Sequence, residues 1–539
     1  MAGSICVLRQ GVAIVLLIAG LGLLAPSVAE ELPVDYESTV PRYIFANTRE
    51  EQKTQLKSNP LMLRFVESRR KLAEDPHRPM YHFVNPESRM GDANGLCFWR
   101  NRWHLFYQVR PPGEDRVHWG HATSADLVHW RDLPYAIYPQ PEYHSYSGST
   151  FVENDRVIAM YHGTRVGNMV AVSSDPLLLN WEKLTGQPVI PIKNADGSAL
   201  PYRVFDPCIR KVDGQYFALS GRTQDTGPGQ APVRAHYLFQ STDLVHWKYL
   251  HPFVEGDRFT MIGDDGACPY FWPIGNRHIL LFFSHISGGQ YLLGDYDRAR
   301  RKFDVTSHGL FNFGATEPGG VHAPTATPDG KGGVITILNM NPATYSKKWS
   351  DLMTLPRRLF LTDHGELRIE PAGDIESLRY DHRQIGGMEL PANEEIVLDD
   401  IRGNSMEIIA RFDSKSASVV ELNVLRSPNR EEVTRIVFFK HRGYQRQSLI
   451  ALDSTYSSHL STVDVRAPET APIDLGKDEV LELRVFIDKS VVEVFANGKQ
   501  CIAVRVYPGR SDSLGVSLRA QGRPSQLMSL DAWQMRSIY

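Results

Sequence analysis

The sequence predicts an all-β protein, a β-propeller followed by a C-terminal β-sandwich, and three observations carry that expectation. From Tyr81 to about Pro371, short aromatic and β-branched runs are punctuated by Gly, Pro, Asn and Asp, the texture of many strands joined by tight turns. Within that region one phrase recurs: Ser124-Ala125-Asp126-Leu127-Val128-His129-Trp130, then Ser174-Asp175-Pro176 leading to Asn180-Trp181, then Ser241-Thr242-Asp243-Leu244-Val245-His246-Trp247. Recurrence at intervals of tens of residues suggests one blade-like unit used several times, which favours a propeller. Beyond about Met388, Leu481, Leu483, Val485 and Ile487 alternate with mostly polar residues, and Asn497-Gly498 reads as a hairpin turn, so a second all-β domain closing as a sandwich is expected.

In chain order, residues 1–29 read as a signal peptide, with Arg9, an apolar stretch from Gly11 to Leu24, and the small-residue cleavage site Ser27-Val28-Ala29. The apolar run falls short of the roughly 20 residues that span a bilayer, so a secreted or periplasmic protein with no stable membrane span is expected. Residues 30–78 read as a partly helical N-terminal extension, because Leu61, Leu63, Phe65 and Val66 fall at roughly helical spacing among charged residues. The propeller is assigned to residues 79–375 and the sandwich to 385–539. In each recurring phrase the Asp is expected to cap a turn and the Trp to pack between blades.

The 539 residues carry 59 Lys plus Arg against 62 Asp plus Glu, with no basic block, so no nucleic-acid partner is expected and a neutral small-molecule substrate fits better. Cys6 leaves with the signal peptide. Cys97, Cys208, Cys268 and Cys501 are widely spaced without a C-x-x-C pair, which argues against zinc and favours four buried free thiols over a disulfide.

Three acidic sites lie beside turns or prolines: Asp92 in Met90-Gly91-Asp92-Ala93-Asn94-Gly95, Asp206 in Val204-Phe205-Asp206-Pro207, and the pair Asp264 and Asp265 before Gly266-Ala267-Cys268-Pro269. The inner strands of a propeller converge on a central funnel, so carboxylates from separate blades can meet there. Glycoside cleavage needs such a meeting, one carboxylate attacking the anomeric centre and a protonated group serving the leaving oxygen. No G-x-S-x-G, H-E-x-x-H or P-loop competes with this reading.

The phrases Asp92-Ala93-Asn94-Gly95, Leu105-Phe106-Tyr107-Gln108, Trp119-Gly120-His121-Ala122, Tyr146-Ser147-Gly148-Ser149, Phe205-Asp206-Pro207, Ala267-Cys268-Pro269, Met353-Thr354-Leu355-Pro356-Arg357 and Ser490 to Phe495 resemble, in this order, glycoside hydrolase family 32, the family of invertases, inulinases and levanases. The resemblance implies a five-bladed propeller and sandwich that cleaves β-fructofuranosides in an oligo- or polysaccharide with retention, without metal or cofactor. Carried over by position, it implies Asp92 as nucleophile, Asp206 as transition-state stabiliser, and Asn94, Gln108, Trp119 and Ser147 as contacts to the fructosyl unit. The sequence departs from the family pattern at Gly91, Ala93, Phe205 and Ala267. The last stands where the family has its acid/base Glu, a loss that costs on the order of 10² to 10⁴ in rate for a poor leaving group. Asp265, two residues before Ala267 and on the same face if the segment is a strand, is the expected replacement, with Asp264 and Glu317 as alternatives. Arg203 is the candidate to supply the guanidinium absent at Phe205. The competing readings are a hydrolase of a different furanoside and a non-catalytic carbohydrate-binding protein.

Overall fold

The computed structural model describes residues 38–344, 349–415, 418–476 and 478–539. The expected signal peptide, with a cleavage site after Ala29 and Cys6 within it, falls outside the described residues. The N-terminal extension forms two helices, α1 (Arg49–Ser58) and α2 (Pro60–Leu72), where the residue spacing predicts one. Asn59 divides them. Its extended backbone ends α1, its Oδ1 accepts the N–H groups of Leu61 and Met62 at 3.0 and 3.3 Å, and Pro60 opens α2. The apolar side of α2 buries Leu61, Phe65 and Leu72 against the first blade.

Five sheets of consecutive strands follow, with first strands Met90–Trp99, Ser145–Val152, Pro207–Val212, Ala267–Ile274 and Val321–Pro328. These first strands touch one another in a ring, and Met90–Trp99 closes it against Val321–Pro328. The architecture is a five-bladed β-propeller followed by a β-sandwich. Blades pack on both faces, so second-rank strands such as Val157–Gly163 are buried throughout and show no alternation in sequence. The three recurring phrases are the outer turns of the first three blades. Asp126 accepts the N–H groups of Val128 and His129, Asp243 those of Val245 and His246, and Asp175 those of Leu177, Leu179 and Asn180. Trp130 and Trp181 are buried beside them.

The funnel is tied together below its mouth by Tyr270. Its hydroxyl donates to Gly148 O at 2.8 Å, lies 3.0 Å from Thr325 Oγ1, and accepts the Gly95 N–H at 3.2 Å, so one side chain links the inner strands of four blades.

The sandwich packs a sheet ordered through Arg379–Ile385, Ser525–Met535, Ser405–Asp413, Leu481–Asp488, Val491–Ala496 and Gln500–Arg505 on a second that runs from Glu395–Arg402 to Glu469–Ile473. Leu481, Leu483, Val485 and Ile487 all enter its core, and Asn497 and Gly498 both take positive φ at the hairpin turn. Fully buried ions join the two parts: His82 sits between Asp488 and Glu493, at 2.9 and 3.3 Å, and Glu493 also pairs with Arg357 at 3.0 Å. Cys97, Cys208, Cys268 and Cys501 are free and buried.

Candidate active site

Four of the five inner strands are irregular where they enter the funnel. Register shifts fall between Met90 and Ala93 and between Asn94 and Cys97, between Ser145 and Gly148, between Ala267 and Tyr270, and between Val321 and Pro324. A bulge turns a side chain away from the regular pleat, which is how a strand end presents a functional group into a funnel. Asp92, Ser147, Cys268 and His322 stand at these four places. Cys268 takes φ +50°, a conformation that costs a non-glycine residue strain and is held by its surroundings.

Asp92 is the hub. Its Oδ2 accepts Ser147 Oγ at 2.6 Å and Gln108 Nε2 at 3.0 Å, while Gln108 Nε2 also donates to Ser147 Oγ at 2.7 Å. His322 Nδ1 lies 3.3 Å from Asp92 Oδ1. Burial pushes the Asp92 carboxyl up, but the contacts from His322 and Ser147 outweigh it and hold the group below the usual carboxylate range.

Asp206 reaches the same place from the third blade. The Cys268 N–H donates to its Oδ2 at 3.0 Å, and the Cys268 thiol lies 3.3 Å from that oxygen and 3.7 Å from Asp92 Oδ2. One sulfur atom thus touches both carboxyl groups. Burial and the charge of Asp92 push Asp206 up to about 7, so two neighbouring carboxyls are driven apart in acidity. Around them Ala267, Cys268, Phe283 and Ala323 form an apolar floor with Phe205 packed on it.

The remaining sequence candidates divide. Gln108 and Ser147 are at the site, bonded to Asp92 itself. Asn94 and Trp119 have no exposed surface, and Trp119 donates its Nε1–H to Tyr146 O at 2.8 Å. Asp264 and Asp265 precede the strand, which begins at Ala267, so strand parity does not set their directions. At Gly266 the backbone passes close to His236, where a Cβ would lie 2.4 Å from Nε2. The Asp264 carboxylate turns inward to Ser284 Oγ at 2.7 Å, the Met261 N–H at 2.8 Å and Arg234 at 3.6 Å. Asp265 turns to His285, accepting its backbone N–H at 3.0 Å and meeting Nδ1 at 2.8 Å. Although burial opposes it, the His285 contact holds Asp265 below its ordinary range. Glu317 is exposed in the loop before Val321–Pro328. Arg203 is turned outward to Asp225 and Thr223, at 2.6 and 2.7 Å, and the guanidinium stacked on Phe205, at 4.8 Å, belongs to Arg222.

His285, His322, Arg222 and Asp351 escape a sequence reading because none sits in a distinctive phrase. Asp351, which burial pushes up to about 6, is near enough to His322 and Asp92 to feel their charge. Among the described residues no group of three or more His, Cys, Asp or Glu is placed to hold a metal ion, and no helix is long and apolar enough to cross a membrane. The arrangement can attack an electrophilic carbon with Asp92 while Asp206 holds a hydroxyl or a proton beside it.

Comparison with known proteins bears on the same segments. The profile of the glycosyl hydrolases family 32 N-terminal domain matches residues 82–371, and that of the family 32 C terminal matches residues 374–534. The chain is 27% identical to the insoluble beta-fructofuranosidase isoenzyme CWINV5 of Arabidopsis thaliana, over 86% of this chain and 93% of that one. It is 26% identical to the levanase of Bacillus subtilis (strain 168), over 86% and 71% respectively. The crystal structure of fructan 1-exohydrolase IIa from Cichorium intybus shares the fold with a TM-score of 0.76 at 23% identity, covering 86% of this chain and 98% of that one.

Proposed function

Because this chain belongs to glycoside hydrolase family 32 and is a glycosidase, we propose that it is a secreted or periplasmic enzyme that cleaves β-fructofuranosidic bonds in sucrose or fructans with retention. Asp92 attacks the anomeric carbon of the fructosyl unit and forms a covalent ester. Asp206 steadies the sugar as positive charge develops, and the Asp265 region supplies the proton for the leaving oxygen. The observation that carries the reading is the convergence of Asp92 and Asp206 on one Cys268 sulfur, with Asp92 held ionised by its donors. The relatives' names, a beta-fructofuranosidase and a levanase, support the fructosyl unit as substrate.

The test is Asp92→Ala assayed for fructose release from sucrose, inulin and levan, where complete loss is expected and undiminished release sinks the proposal. Methanol added to the wild-type reaction should trap methyl β-fructofuranoside; the α product would exclude retention. A different furanoside is the second reading, favoured by Phe205 packed beside Asp206. Turnover of another furanoside and of no fructoside would establish it.

A further inference from the structure

Departure of a sugar oxygen needs a proton as its bond breaks, and the floor of this pocket is badly placed to give one. Ala267, Phe283 and Ala323 carry no acid, and burial pushes the Cys268 thiol far above its ordinary range. Asp206 is 3% exposed and already takes the Cys268 N–H. Asp264 is spent on Ser284, the Met261 N–H and Arg234.

A titratable group does stand at the mouth. The His285 side chain is 58% exposed, and its ring lies 5.2 Å from Phe283 and 6.5 Å from Phe205, the residue before Asp206. Phe283 in turn lies against His322, 3.8 Å between ring centres, which meets Asp92. Asp265 grips His285 twice, at the backbone N–H and at Nδ1, which fixes the ring's orientation and places a proton on Nδ1. Nε2 has no hydrogen-bond partner among the described residues and is left for a substrate.

We infer that His285 is the acid and base of this enzyme, its Nε2–H serving the leaving oxygen, with Asp265 as the residue that positions it. The inference rests on the reading of Asp92 as nucleophile. As Asp92 forms its bond to the anomeric carbon and the bond to the leaving oxygen breaks, the Nε2 proton passes to that oxygen. Asp92 loses its negative charge in the ester and His285 loses its positive charge, so the site's net charge is unchanged. In the second step Nε2 takes a proton from water, whose oxygen attacks the anomeric carbon and displaces Asp92. The groups that face His285 agree with this role: the Asp265 hydrogen bond raises its pKa against the effect of burial, and the charges of Asp206 and Asp92 add to it, with the Arg222 guanidinium near Asp265 and the His322 ring beyond Phe283 as the other nearby groups.

The experiment compares sucrose with 4-nitrophenyl β-fructofuranoside, whose phenolate departs without a proton, in the full-length wild type, His285→Gln, Asp265→Asn, Asp206→Asn and Asp92→Ala. His285→Gln is expected to lose about 10² to 10⁴ in kcat on sucrose but to keep the initial burst of nitrophenol, with azide restoring turnover and yielding fructosyl azide. Asp265→Asn is expected to move the basic limb of the wild-type pH profile to lower pH, since its carboxylate is what raises His285. Equal losses by His285→Gln on both leaving groups, or leaving-group dependence that appears in Asp206→Asn instead, would overturn the assignment. Surviving aryl cleavage in Asp92→Ala would strike the nucleophile reading instead.

Discussion

Replacing Ser147 by alanine removes the shortest donor to Asp92, the 2.6 Å bond from Oγ to Oδ2, and leaves Gln108 Nε2 on the same oxygen at 3.0 Å. Ser147 is buried and the Asp92 side chain is 18% exposed. A hydrogen bond to a charged group contributes about 1.5–3 kcal/mol. At about 1.36 kcal/mol per pKa unit the lost bond raises the carboxyl by about 1 to 2 units, nearer the lower figure because Gln108 remains. The sign follows from the direction of the native shift: the fold holds Asp92 below its ordinary value, so losing a donor lets it rise and shrinks the ionised fraction at acid pH. The acid limb of kcat/KM on sucrose is therefore expected to move up by about one unit, with little change on the plateau. The limb belongs to the coupled Asp92 and Asp206 pair, so its displacement is the quantity to measure. An unmoved limb, or a uniform loss at every pH, would refute the reasoning, and the uniform loss would make Ser147 a sugar contact and no support for the nucleophile.

Asp92→Asn removes the charge that helps push Asp206 up to about 7, so the Asp206 carboxyl should titrate lower, read by carboxyl carbon NMR; an unchanged value would leave burial as the whole cause. His82, held near 9 between Asp488 and Glu493 against the opposing effect of burial, takes up a proton on folding that the unfolded chain holds only below about 6.5. Its contribution is full below 6.5 and is lost as pH rises through 9, so Tm should fall across that window, and His82→Gln should flatten the slope. Tyr270→Phe strips the Gly148 carbonyl and the Gly95 N–H of their shared partner and should cost about 1–3 kcal/mol in denaturant unfolding with an unchanged slope. A cost near zero would show that the funnel does not depend on that hydroxyl.

The fold was legible because its signals are local. The outer turns at Asp126 and Asp243 are each specified within seven residues by an Asp that caps its own backbone, and the sandwich strand from Leu481 shows its buried face by alternation. Local signals failed where a single residue changed the outcome: the spacing from Arg49 to Glu74 predicts one helix, and Pro60 after a capping Asn59 makes two. The site was half legible. Asp92, Gln108, Ser147 and Asp206 were all marked by phrases, and the structure brings all four together. Trp119 and Asn94, marked by phrases of the same kind, are fully buried.

The amino-acid sequence by itself determined the architecture and two of the carboxyl groups, since turn chemistry, alternation and ordered phrases act over a few residues. Tertiary structure alone decided which groups share the pocket and in what state. Asp92 and Asp206 are 114 positions apart in sequence, and it takes Cys268 of the fourth blade to bridge them. Contacts distant in sequence turn Asp264 inward to Ser284 and Asp265 to His285. Acidity depends on burial and on charges within a few ångströms, and both arise only when distant strands close into a ring.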